Sequence, residues 1–176
     1  TFLKATGKTA PASAEYLQAV GAIEKLRGSI KEQKEGFFTA EYRMAAYRGL
    51  VTTLVDRAIA GNQDRQFAPY GNNLASAAFY FSEATKARTV LEKIIESDKT
   101  AGNIPERLTP TPVQADKLPL KDNEVLLEYA LGDNFSYVFI VRKGGVARVS
   151  RIFAGREMLE EKVQTFMSKM NIKTLS

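Results

Sequence analysis

The chain contains no cysteine, no histidine and no tryptophan. Without cysteine there is no disulfide framework and no thiol nucleophile. Without histidine the commonest general base near neutral pH is missing, as is the commonest transition-metal ligand. Together the two absences exclude Cys–His and Ser–His–Asp catalysis and the usual zinc sites within this chain. No run of roughly 18 apolar residues occurs, so the sequence offers no membrane span. The opening "TFLKATGKTAPASAEY" lacks a basic stretch followed by an apolar one, so no secretory signal is read there. It also lacks an initiator methionine. The expectation is a processed or excised segment with a cytoplasmic location.

What is present is ordinary for a folded chain. Of the 176 residues 44% are apolar, enough for a real core. The net charge is +5, from 25 basic and 20 acidic residues. A nucleic-acid reader usually gathers its basic residues in one patch. Here both signs mix, as in "EKLRGSIKEQKE", which suits a solvated helical face. Nucleic acid is therefore an unlikely partner on composition, although salt-sensitive binding by the basic surface is a formal alternative.

Hydrophobic spacing predicts helices first. Leu17, Val20, Ile23, Leu26 and Ile30 recur at three- or four-residue steps, placing a helix at about 13 to 33, with Ser13 as its N-cap. Ala40, Met44, Tyr47, Val51, Leu54, Val55 and Ala58 predict a second at about 35 to 60, with Thr39 near its start. "GNQDRQFAPYGNN" is loop chemistry, in which Phe67 and Tyr70 are expected to pin the loop to a helix. Leu74, Ala78, Phe81, Ala84, Leu91 and Ile95 predict a third helix at about 72 to 97, its small residues beside aromatics suiting close packing.

Residues 98 to 123 hold four of the six prolines and read as a linker, with a short helical turn at "VQADKL". A β-meander follows. Val125, Leu127 and Tyr129 alternate with Leu126, Glu128 and Ala130. Tyr137, Phe139 and Val141 alternate with Val138 and Ile140, a pattern apolar on both faces that predicts a strand either central or covered on both sides. Val146 to Ile152 carries Arg148, Ser150 and Arg151, which predicts a strand nearer an edge or exposed on one face. Gly144-Gly145 supplies the hairpin turn. Leu159, Val163, Phe166, Met167 and Met170 predict a last helix at about 155 to 170, packed on one face of the sheet.

Two stretches together resemble a known arrangement. "AIEKLRGSIKEQKEGFFTAEYRMAAYRGLVTTLVDRA" and "AAFYFSEATKARTVLEKIIE" look like the closing helices of a tetratricopeptide (TPR) array, and "SEATKARTVLE" is similar to the helix that precedes CHAT domains. "VLLEYALGDNFSYVFIVRKGGVARVSRIFAGREMLEEKVQTFMSKM" looks like the opening of a CHAT domain, a caspase-like module related to caspases and separase. The resemblance spans about residues 14 to 170. It implies a caspase-like α/β domain whose His and Cys lie downstream. Neither residue type occurs here, so no catalytic residue is carried over, and the chain reads as a fragment of a longer protein.

Other chemistry finds little support. Glu124 with Glu128, and Glu157 with Glu160 and Glu161, are paired carboxylates best read as surface charge rather than a glycosidase pair. Asp122, Glu124 and Asp133 could contact Ca²⁺ or Mg²⁺, but their spacing matches no cation loop. "RKGGV" joins two strands and so cannot be a phosphate loop. The reading assigns no catalytic residue, cofactor or metal.

The expected fold is α+β: antiparallel TPR-like helical hairpins (13–97), a proline-rich linker (98–123), and a three-stranded antiparallel meander with a C-terminal helix (124–176) as the first part of a CHAT-like domain. The expected function is a non-catalytic interaction scaffold at a TPR-to-CHAT junction of a bacterial protein, coupled to a caspase-like peptidase domain. It would bind a protein or peptide on its helical surface, and could self-associate through strand edges. The alternative of another class is a small-ligand sensor with an apolar pocket.

Overall fold

The computed structural model describes residues 7–29, 41–99 and 112–170. Among the described residues, four α-helices, two short 3-10 helices and three strands follow one another. They are α1 (Thr9–Ser29), α2 (Glu41–Ile59), a 3-10 helix (Arg65–Tyr70), α3 (Leu74–Lys99), a second 3-10 helix (Ala115–Lys117), β1 (Leu126–Ala130), β2 (Ser136–Arg142), β3 (Gly145–Ile152) and α4 (Arg156–Lys169). The fold is α+β, with helices leading into an antiparallel meander ordered β1-β2-β3.

The helical layer forms around α2, which packs against both α1 and α3. Its stripe is buried as its spacing predicts: Tyr47, Val51, Leu54 and Val55 are all inside, and Leu50 joins them. On α1 only Val20 of the stripe is fully buried, and Leu26 already faces solvent. Ile30, Thr39 and Ala40 lie outside the described residues, as do the side chains of Leu91 and Ile95. On α3 the small residues Ala77, Ala78 and Ala84 alternate with Phe79 and Phe81 in the core.

Ser13 is not the N-cap of α1, which starts four residues earlier at Thr9. Pro11 falls in the first turn, where its missing N–H has no helical partner to lose, so the helix tolerates it. Ser13 instead sits inside the helix, fully buried, donating to the Ala10 carbonyl at 2.8 Å. The start of α3 is set by Asn73, whose side chain accepts from the Ser76 amide at 2.8 Å and so caps the first turn.

The connection from α2 to α3 is anchored as expected. Asp64 caps the first 3-10 helix through the Gln66 amide, Phe67 is buried, and Tyr70 stacks on Tyr80 and Phe81 with centroids 5.2 and 4.7 Å away. Residues 112–123 lie against the body rather than away from it. Ala115 is buried, Leu118 and Leu120 pack on the core, and Gln114 donates to the Pro69 carbonyl at 2.9 Å.

One core joins the sheet to the helices. Tyr137, Phe139 and Val141 of β2 and Val146 and Val149 of β3 belong to the same buried cluster as the α2 and α3 stripes. Phe139 meets Phe79 edge to face at 5.9 Å, a favoured aromatic geometry. β2 is central, and β1 and β3 are both edges.

The β2–β3 hairpin is also latched by polar groups. Gly144 and Gly145 take φ of 90° and 133°, where a side chain is strained. Asn72 donates to the Gly144 carbonyl at 2.9 Å. The Ser76 hydroxyl donates to Asn72 at 2.8 Å and accepts from the Val146 amide at 3.3 Å. The start of α3 thus fixes the turn, while the aromatic core fixes the strands behind it.

Candidate interaction surface

The apolar stripe of α4 forms as its spacing predicts but is not packed on the sheet. No residue of α4 is buried, and Val163 and Phe166 are 59% and 61% exposed, with Met167 and Met170 close behind. The reason lies at the helix start. The Arg156 amide donates to the Gly132 carbonyl at 2.8 Å, and the chain turns at Gly155 so close to the Asp133 carbonyl that no side chain fits there. These contacts dock the first turn on the β1–β2 loop. The inner face of the sheet is already filled by α2 and α3. Only Leu159 of the stripe is partly covered.

A second apolar face lies on the outside of the sheet. Because the side-chain period of a strand is two, burial of Tyr137, Phe139 and Val141 turns Val138 and Ile140 outward. They pair with Tyr129 and Leu127 of β1, which are 49% and 51% exposed, and Val125 continues the row. On β3 the same face carries Arg148 and Ser150. Beyond β3, a groove of about 680 Å³ runs between its open edge and Ile59, Leu74 and Ala75 of the helices. Phe153 stands at its end, 77% exposed and edge-on to Phe135 at 5.8 Å.

Three charged clusters rigidify the body beneath these surfaces. Buried Arg57 donates to Ser13 at 2.6 Å and pairs with Asp64 at 2.9 Å, tying α1, α2 and the loop together. Asp56 pairs with Arg151, whose guanidinium lies 5.2 Å from the Phe135 ring centre, joining α2 to β3. Lys86 of α3 pairs with Glu128 and donates to the Tyr129 carbonyl at 2.7 Å, joining α3 to β1. Burial lowers the Lys86 pKa, against the opposing pull of Glu83. Burial raises the Tyr137 phenol, with Thr52, Asp56 and Arg151 as neighbours of smaller effect.

The carboxylates singled out in the sequence are not brought together. Glu128 faces Lys86, while Glu124 caps the Lys121 amide at 2.9 Å. Asp122 pairs with Lys143 at 2.9 Å, and Glu157, Glu160 and Glu161 are exposed on α4. Among the described residues, no group of three or more acidic side chains could hold a metal ion, and no helix is long and apolar enough to cross a membrane. Sequence spacing missed the hairpin latch and the Arg57 cluster. "NN" ahead of an apolar helical run was a readable cap signal for the first, whereas the second joins residues 44 positions apart.

No protein-family model, curated protein or solved structure matches the chain.

Proposed function

We propose that this chain is a non-catalytic protein-interaction scaffold, arranged as the junction between TPR-like helices and the opening strands of a CHAT-like, caspase-related domain. One observation carries the reading. Two apolar faces, the α4 stripe and the outer row Val125, Leu127 and Tyr129, stay exposed on a chain whose core is otherwise closed. Contiguous exposed apolar surface of this kind marks a binding site on a stable body. The open edges of β1 and β3 supply unpaired backbone for the same purpose, either to a second copy or to further strands.

In this reading the scaffold couples whatever its helices bind to a peptidase-like domain. The catalytic dyad lies outside these 176 residues, since the sequence holds neither His nor Cys. The reading frame after Ser176 tests it. A His and a Cys, each following a predicted strand, are expected there, and the longer protein should protect Leu127, Tyr129, Val163 and Phe166 from solvent. The 176 residues alone should hydrolyse no peptide. A stop codon at that point, or peptidase activity from this chain, overturns the proposal.

A further inference from the structure

Beneath the β1–β2 loop lies a groove of about 560 Å³, between α2, α3 and the ends of β1 and β2. Its size falls in the range of pockets that hold small molecules, roughly 300 to 1,000 Å³. Met44 and Val51 of α2 face Ala130 and Leu131 across it, so its walls are mainly apolar. The remaining lining has one sign of charge. Arg48, Lys86 and Arg156 border the groove, and no carboxylate side chain does.

Two of its polar groups are open to a ligand. Ser82 is only 5% exposed, lines the groove, and makes no hydrogen bond among the described residues. Its oxygen is not enclosed, so the hydroxyl opens onto the groove, where a ligand can take the place of water. Arg156 has no acidic partner among the described residues, while Lys86 is taken up by Glu83 and Glu128. The Tyr137 phenol also lines the groove.

We propose that this groove binds a small amphipathic carboxylate. Its apolar body lies along Met44, Val51 and Leu131. Its carboxylate accepts from the Arg156 guanidinium, whose planar fork matches two carboxylate oxygens, and from the Ser82 hydroxyl. A compact hydrophilic anion would leave the apolar walls uncovered, and an uncharged apolar molecule would leave Arg156 and Ser82 unused. Tyr129 borders both this groove and the outer sheet face, but Ser82 and Arg156, which hold the carboxylate, take no part in the scaffold reading.

Calorimetric titration of the full chain tests this with straight-chain carboxylates from butyrate to decanoate, the matching alcohols, and inorganic phosphate. Saturable one-site binding of the acids is expected, tightening with chain length, with each alcohol at least tenfold weaker and phosphate not competing. Arg156→Gln should weaken the acids about tenfold with the melting temperature unchanged, because its side chain is exposed. Ser82→Leu should block binding by filling the groove, with folding checked by circular dichroism. Equal binding of acids and alcohols, competition by phosphate, unchanged affinity in Arg156→Gln, or no saturable binding of any acid overturns the proposal.

Discussion

At the scale of single residues, the buried charges are the most demanding feature. Arg57 is almost fully enclosed; its two terminal nitrogens are held by Ser13 and Asp64 from two other segments, while its buried Nε has no partner among the described residues. Removing one partner of a buried pair strands the other charge, which is worse than removing both. Asp64→Ala should therefore cost on the order of 3 kcal/mol in urea unfolding, and Arg57→Met combined with Asp64→Ala should cost less than Asp64→Ala alone. A cost under about 0.5 kcal/mol for Asp64→Ala, the range of ordinary surface changes, would contradict the pairing.

Tyr137 gives a residue-scale signature in pH. Its folded pKa is raised above the ordinary value near 10, so its stabilising effect is complete below that pH and is lost as pH rises through the higher folded value. Lys86, lowered by burial, acts in the opposite sense in the same alkaline range. Comparison of the chain with Tyr137→Phe isolates the first effect. The decline of stability above pH 10 should be shallower in the variant, as followed by chemical unfolding at a series of pH values.

At the scale of elements, the sheet and the helices stand on shared aromatics. Phe139 of β2 and Phe79 of α3 are both buried and in contact. Phe139→Ala should cost about 3–5 kcal/mol, and Phe79→Ala a similar amount. Because they touch, the double substitution should cost less than the sum, by roughly 0.5 kcal/mol or more. Strict additivity in a double-mutant cycle would mean that the two layers do not share a core.

The same elements show what could be read in advance. Periodicity located α2 and α3, because the described residues of both stripes, from Met44 to Ala58 and from Leu74 to Ala84, are buried in one core or packed on it. Two-sided apolar alternation marked β2 as central or covered on both sides, and Arg148 with Ser150 marked β3 as nearer an edge or exposed on one face. The α4 stripe was equally legible, yet its packing was not. Spacing says which side of a helix is apolar, whereas what covers that side depends on Gly155 and the β1–β2 loop. Ser13 was misread because a serine ahead of an apolar run looks like a cap, while Pro11 permits an earlier start. Of the candidate surfaces, the strand edges could be anticipated. The grooves could not, since each joins residues from several distant elements.

At the scale of the whole molecule, a closed core carries a helix that adds little to it. α4 is held at its first turn and otherwise surrounded by solvent. A helix of 14 residues is marginal by itself in water. In the free chain it should therefore open far more easily than the elements around the core. Only a partner on the α4 stripe and the outer sheet face would change that. Hydrogen exchange measured along the free chain is the most direct test. The account predicts fast exchange across 158–169, with the amides of α2, β2 and the buried part of α3 exchanging near the global unfolding limit. Protection of α4 equal to that of α2 would show its apolar stripe already covered, and would contradict the claim that this face is open for a partner.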